Sequence, residues 1–171
     1  MIPKVTIQRT VRAGMNEVVR RDKLLREMDK LRVRVGFPKG GATYENGMTL
    51  ASVAVIQEFG STENKIPARP FIRNTAKENK AKYAKLGRVF ARKVMRGDKT
   101  PKAALSLIGL EAAKDIIKKI QSIWTPANKP STIAKKTRAG KIGDKPLVDT
   151  GKLKQSVSYA LEGETPKVVK S

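Results

Sequence analysis

The alternation of apolar and polar residues predicts strands near both ends of the chain. The clearest strand covers residues 31–37, where apolar side chains face one side and arginines the other: Leu31, Val33, Val35 and Phe37 against Arg32 and Arg34. Residues 5–8 and 157–161 are rich in β-branched or alternating residues and predict two more strands. A Gly163–Pro166 turn predicts that residues 167–170 pair back as a hairpin.

Apolar residues at helical spacing predict four helices between these strands. They cover about 15–31, 50–58, 71–96 and 101–124; Thr49 or Ser52 caps the second, and Thr100-Pro101 starts the last. The last has the broadest apolar face, so we expect it to form the core: Leu105, Ile108, Ala112, Ile116, Ile120 and Ile123. The third and fourth helices, joined by a short turn at Gly97, should form an antiparallel pair.

These elements predict an α+β fold with a single domain over residues 1–171. We expect a small, mostly antiparallel sheet from both chain ends, packed against a helical middle with two long antiparallel helices. Residues 126–145 differ in character, with prolines, glycines and six basic residues among few apolar ones. This pattern predicts an exposed basic excursion that is mobile until it binds a partner.

The charge balance points to a polyanionic partner. The chain carries 37 Lys plus Arg against 15 Asp plus Glu, a formal net charge of +22. Such an excess favours binding to nucleic acid or to an acidic protein surface. The lysine-rich helix face within 77–102 is either such a surface or simply a solvated face. Aromatic residues make up only 5%, which does not favour a single-strand binder with stacking platforms.

The residue types present do not form a catalytic, metal or cofactor site. Cysteine and histidine are both absent, which removes thiolate chemistry, the commonest general base and the commonest zinc ligand. Glu58 and Asp149 lie at predicted helix ends, where capping is the usual role. Gly36, Gly40 and Gly41 lack the lysine and hydroxyl residue of a phosphate loop, so a surface loop is the better interpretation. We therefore expect no catalytic residue, metal or cofactor.

Apolar runs in the chain fall short of the roughly 20 residues that span a bilayer. The stretch after Met1 lacks the apolar core and cleavage site of a signal peptide. We therefore expect a protein that is cytoplasmic when it is made and has no membrane partner.

Two segments far apart in the chain carry recognisable motifs. The first runs from Ile56 to Arg73, with a Glu58-Phe59-Gly60 turn and an Arg69-Pro70-Phe71 helix start. Prolines 67 and 70 push the preceding residues out of the α region, which predicts an extended arm over 61–70. The second runs from Pro146 to Ser156 and contains Leu-Val-Asp-Thr-Gly, in which Asp149 or Thr150 could cap a short helix.

In this order the two segments resemble the tail-completion (neck, minor tail, head–tail joining) proteins of long-tailed bacteriophages. That resemblance implies a structural virion protein that forms a ring of six or twelve subunits around the DNA channel. Its expected partners are the portal or adaptor on one side and the tail terminator or tail tube proteins on the other. The resemblance places the protein in the virion neck or tail, after assembly in the host cytoplasm. The alternative, resting on charge alone, is a general nucleic-acid-binding protein of the ribosome or nucleoid.

Two groups of contact residues follow from this interpretation. For the first motif, the simple expectation is that Phe71 anchors a helix and Arg69 is solvated. The functional expectation is that the arm reaches a neighbouring subunit through Lys65, Arg69, Pro70, Phe71 and Arg73. For non-specific contact with double-stranded DNA or an acidic partner, the candidates lie in the basic excursion: Lys129, Lys135, Lys136, Arg138, Lys141 and Lys145.

Overall fold

The computed structural model describes residues 4–38, 43–44, 47–140, 144–148 and 151–169, with the main chain alone for 4–13. Helices and strands follow in the order α1 Lys4–Lys30, β1 Val33–Gly36, α2 Leu50–Phe59, α3 Phe71–Glu78, α4 Lys80–Arg96, α5 Pro101–Ser122, α6 Pro130–Arg138, α7 Lys152–Gln155, β2 Ser158–Leu161 and β3 Lys167–Val168. The predictions for Gly40, Gly41, Lys141, Asp149 and Thr150 lie outside the described residues.

The described strands form an antiparallel sheet in the order β1-β2-β3. Val33 pairs with Leu161 and Gly36 with Ser158, while Ser158 also pairs with Val168 on its other side. The sheet therefore joins a strand from the N-terminal region to a C-terminal hairpin, with helices covering it. The predicted α+β class, the strand at 31–37 and the hairpin at 158–168 are confirmed.

The predicted strand at residues 5–8 is wrong, because these residues belong to α1. A short β-branched stretch does not distinguish strand from helix by itself. Strand preference depends on packing against a neighbouring strand, and here the chain continues as one helix into the stretch from Met15 that was predicted as helical. That predicted helix ends at Lys30, close to the expected boundary.

Helix α5 forms the centre of the core, as its broad apolar face predicts. Ala113, Ile116, Ile117 and Ile120 are all buried and belong to one cluster. Side chains from other parts of the chain complete that cluster: Ala54 from α2, Phe71 from α3, Leu153 from α7, and Val157 and Val169 next to the strands. Thr100 caps α5 by accepting a hydrogen bond from the Ala103 N–H, with Pro101 in the first turn.

Helices α3 and α4 replace the single helix predicted over 71–96. They meet at Asn79, whose N–H donates to the Thr75 carbonyl and whose carbonyl accepts from the Tyr83 N–H. Helix α4 then packs antiparallel to α5: Val94 lies beside Pro101, and Lys82 reaches Asp115. The predicted antiparallel pair is confirmed.

Helix α1 exposes most of the apolar stripe that predicted it. Met15, Val18 and Leu25 are 64%, 65% and 56% exposed, whereas Met28 lies against α4 and α5. Arg20, two turns before Met28, also joins α1 to α4 by donating a 2.9 Å hydrogen bond to the Met95 carbonyl. The periodicity therefore identified a helix correctly without identifying a buried face.

The basic excursion is partly helical. Residues 130–138 form α6, which begins at Pro130, a position where the missing N–H of proline is harmless. None of the α6 residues is buried, in agreement with the shortage of apolar residues. Residues 130–138 therefore form a helix that the sequence analysis did not predict.

Candidate assembly site

The first motif is built around Glu58, which is only 3% exposed. Although it lies in the last turn of α2, its carboxylate caps the next helix, α3. The backbone N–H groups of Ile72 and Arg73 donate to its two oxygens at 2.8 and 3.0 Å. Pro70, at the cap position of α3, has no side chain that could do this. The carboxylate also meets the positive end of the α3 dipole.

The side chain of Arg73 also binds Glu58. Its guanidinium donates 2.9 Å to the Glu58 carboxylate and 3.0 Å to the Glu58 carbonyl, while 56% of its side chain stays exposed. The same guanidinium lies 4.5 Å from the centre of the Phe59 ring, a cation–π arrangement. The glutamate of the motif is thus a structural cap, as expected of a carboxylate at a helix end.

Arg69 is buried at 5% exposure, so the expectation of a solvated side chain is wrong. Its guanidinium donates to three neutral oxygens: Gln57 Oε1 at 2.9 Å, the Pro126 carbonyl at 2.8 Å and the Ala127 carbonyl at 3.0 Å. Burial lowers the pKa of Arg69 from its usual value. Sequence reasoning missed this role because two of the three acceptors are main-chain carbonyls more than fifty residues away.

The predicted arm folds back on itself in its first half. Ser61 and Ile66 form a bridge with N–H to carbonyl distances of 2.9 and 2.8 Å, and exposed Lys65 lies at the end of this tight turn. Gly60 precedes it with φ of 79°, where an added Cβ would lie 2.8 Å from the Ile66 carbonyl oxygen. Only glycine fits this close approach. An extended arm over 61–66 is therefore wrong, although Gly60 ends α2 as predicted.

Phe71 is fully buried in the core cluster, and Pro70 is half-buried. Phe71 and Arg69 therefore contribute to the interior of the fold. Of the five residues predicted for subunit contact, the exposed ones are Lys65 and Arg73.

The two motifs, far apart in sequence, meet in space. Gln57 and Arg69 from the first motif, and Leu147, Val148 and Leu153 from the second, line one cavity of about 320 Å³. Leu153 also packs in the core cluster with Phe71. The cap predicted at Asp149 or Thr150 lies outside the described residues. What the sequence showed as two separate motifs is one structural unit.

An exposed apolar surface lies beside this unit. Val55 and Phe59, one turn apart on α2, are 57% and 63% exposed. With Phe37 and Ile72 they line a groove of about 240 Å³ between α2, α3 and the end of β1, which we call the α2 groove. The sequence signal for it was the spacing of Val55 and Phe59 along α2.

The residues of the basic excursion divide into two groups. Lys129, Lys135 and Arg138 are exposed. Lys136 donates to the carbonyls of Lys145 and Val148 at 3.0 and 2.7 Å, and the Lys145 ammonium lies 5.0 Å from the centre of the Trp124 ring. Lys136 and Lys145 therefore contribute to the fold of this segment.

A buried carboxylate elsewhere also has a structural role. Asp115 on α5 accepts from the Lys82 ammonium at 2.7 Å and from the Tyr83 hydroxyl at 3.0 Å. Burial, and then the bond to Asp115, raise the pKa of Tyr83. These contacts fasten α4 to α5. Within the described ranges no cluster of acidic residues is arranged to hold a metal ion.

Comparison of the chain with protein-family models, curated proteins and solved structures finds no match. Among the helices that the structure describes, none is both long and apolar enough to cross a membrane.

Proposed function

We propose that this chain is a structural protein of the bacteriophage neck, a tail-completion component that forms a ring around the DNA channel. The observation that carries the proposal is the meeting of the two motif segments at one place. Their order resembles the tail-completion family, and Gln57, Arg69, Val148 and Leu153 line a common cavity.

The α2 groove is the surface on which this proposal places subunit contact. Val55 and Phe59 supply exposed apolar area, and Arg73, whose guanidinium lies 4.5 Å from the centre of the Phe59 ring, supplies charge at its edge. A charged rim around an apolar centre is the usual composition of a protein interface. The ring then bridges the portal or adaptor and the tail terminator or tail tube proteins, and acts through shape and charge.

Negative-stain imaging of the purified protein with the products of neighbouring genes tests the proposal directly. We expect closed rings of six or twelve subunits. Absence of this chain from the neck of the assembled particle would overturn the assignment, and a gene located far from head and tail genes would favour a ribosome or nucleoid protein.

A matched pair of variants tests the α2 groove. Val55→Asp places a charge in the groove, and Val168→Asp places one on β3, where the wild-type valine is equally exposed at 56% against 57%. Both variants should melt like the wild type, since both sites are at the surface. Mass photometry should show loss of rings in Val55→Asp alone. Equal assembly of the two variants would remove the groove from the proposal.

A further inference from the structure

Exposed cations form a line along α4. Lys85, Arg88, Arg92 and Arg96 recur every three or four residues and are all exposed, so they share one side of the helix. The line extends over about 17 Å at the α-helical rise. We call these four residues the α4 stripe.

The ion pairs of the described chain leave the α4 stripe unneutralised. The acidic side chains of the helical layer pair elsewhere: Glu78 with Lys119, Glu111 with Lys82 and Lys114, and Asp115 with Lys82. Glu58, Glu162 and Glu164 pair with Arg73, Arg34 and Lys102. None of the ion pairs found among the described residues includes a stripe residue.

One end of the stripe borders a groove lined by further arginines. Arg92 and Arg96 face Arg20 and Arg21 of α1 across a space of about 490 Å³, with Glu17 as its acidic residue. Arg20 is fixed there by its bonds to Glu17 and to the Met95 carbonyl, and Arg21 donates to the same Glu17 carboxylate at 2.9 Å. Among the described residues of this groove, Arg92 and Arg96 are the arginines outside an ion pair. Guanidinium groups match phosphate oxygens in geometry and can bind them in pairs. This end of the stripe is therefore suited to phosphate groups.

We infer that the α4 stripe and the adjoining arginine groove bind the phosphate backbone of double-stranded DNA without sequence specificity. This inference deepens the proposed function and rests on it for the position of DNA inside the ring. Neighbouring cations of the stripe are about 5–6 Å apart. Double-stranded DNA carries a negative charge for roughly every 1.7 Å of its axis, so each cation of the stripe can lie near a phosphate.

Two features favour duplex DNA over other polyanions. The stripe lacks aromatic side chains, so it offers no stacking platform for single strands. The exposed large apolar residue beside the stripe on α4 is Val89, at 39%, whereas Val55 and Phe59 of the α2 groove are 57% and 63% exposed. The stripe is therefore less apolar than the α2 groove, and a protein interface usually has an apolar centre. The basic excursion is the weaker candidate surface, since Lys136 and Lys145 are engaged within the fold.

The test compares two variants that lose the same charge. The stripe variant carries Lys85→Gln, Arg88→Gln, Arg92→Gln and Arg96→Gln. The control carries Lys23→Gln, Lys30→Gln, Lys118→Gln and Lys167→Gln, four exposed lysines on other faces. Fluorescence anisotropy with a duplex of roughly 20 base pairs gives affinity at several salt concentrations, and melting curves verify that both variants are folded.

We expect the stripe variant to bind DNA at least about tenfold more weakly at low salt, with a log–log salt slope reduced by about three to four. The control should change the slope by about one or less. Equal losses in both variants would show that net charge alone drives binding and would overturn the inference. So would stripe-dependent binding of polyglutamate in the absence of DNA binding, which would identify an acidic protein as the partner.

The outcomes separate this inference from the proposed function. Rings that assemble normally but show no stripe-dependent DNA binding would refute the inference alone. Stripe-dependent binding by a protein that is absent from the virion neck would refute the neck assignment and leave the DNA surface in place.

Discussion

At the residue scale, two buried charges hold the first motif together by binding main-chain groups. Glu58 accepts from the first-turn N–H groups of α3, and Arg69 donates to the carbonyls of Pro126 and Ala127. Helix ends and irregular segments have unpaired main-chain groups that need partners once buried. A charged side chain in a protein interior is stable when such partners surround it.

Replacing Glu58 with alanine should therefore lower stability well beyond an ordinary surface change. The variant leaves the N–H groups of Ile72 and Arg73 without their acceptor and the Arg73 guanidinium without its carboxylate. We expect a loss of about 1–3 kcal/mol in the free energy of unfolding, measured by urea titration. Glu63→Ala, at an exposed position in the neighbouring turn, serves as the control and should stay within about 0.5 kcal/mol of wild type.

At the element scale, the contact between α5 and the sheet depends on a glycine. Gly109 is buried in the middle of α5, and a Cβ built there would lie 2.6 Å from Val33 Cγ2 and 2.9 Å from Tyr159 Cδ2. A side chain at 109 would therefore require Val33 and Tyr159 to move from their present positions. Gly87, in the middle of α4, has no atom near the position of an added Cβ.

The two glycines predict opposite effects of the same substitution. Gly87→Ala should stabilise the protein by about 0.5–1 kcal/mol, because alanine favours the helix at no steric cost. Gly109→Ala gains the same helix preference but forces Val33 and Tyr159 apart, so we expect a net loss of about 1–2 kcal/mol. Thermal and urea unfolding of both variants measure this, and stabilisation by Gly109→Ala would contradict the close approach.

At the scale of the whole molecule, positive charge exceeds negative charge and is distributed unevenly over the exposed faces. The chain has 37 basic against 15 acidic side chains, and the acids named above pair with cations outside the α4 stripe. The excess therefore remains on exposed faces, where like charges repel each other over distances that depend on salt. Folding brings these charges closer than they are in the unfolded chain.

We therefore expect the free protein to become more stable as sodium chloride is added. Between about 10 mM and about 150 mM salt the screening length falls from roughly 30 Å to roughly 8 Å, so the melting midpoint should rise. Differential scanning fluorimetry measures the midpoint. The stripe variant, which carries four fewer charges, should show a smaller rise. A midpoint that falls with salt would mean that ion pairs outweigh repulsion in this fold.

The regular elements were predictable wherever the pattern was long or its ends were marked. The broad apolar face of α5, the alternation around β1 and the caps at Thr49 and Thr100 all appear in the structure. The short β-branched stretch at 5–8 was wrongly predicted as a strand, because four residues are too few to distinguish a strand period from a helix period. The helix at 130–138 was missed because Ile133 and Ala134 are its aliphatic residues, too few to define a helical face by their spacing.

The sequence alone determined the fold class, the core helix, the charge and the lack of cysteine and histidine, since composition and periodicity are local properties. Only the tertiary structure decided which charged residues are buried and which surfaces are unpartnered. Glu58, Arg69 and Gly109 owe their roles to atoms many residues away, and no local pattern encodes such contacts. The two motifs become one unit, and the α4 stripe remains unneutralised, because packing determines which groups meet and which stay exposed to solvent.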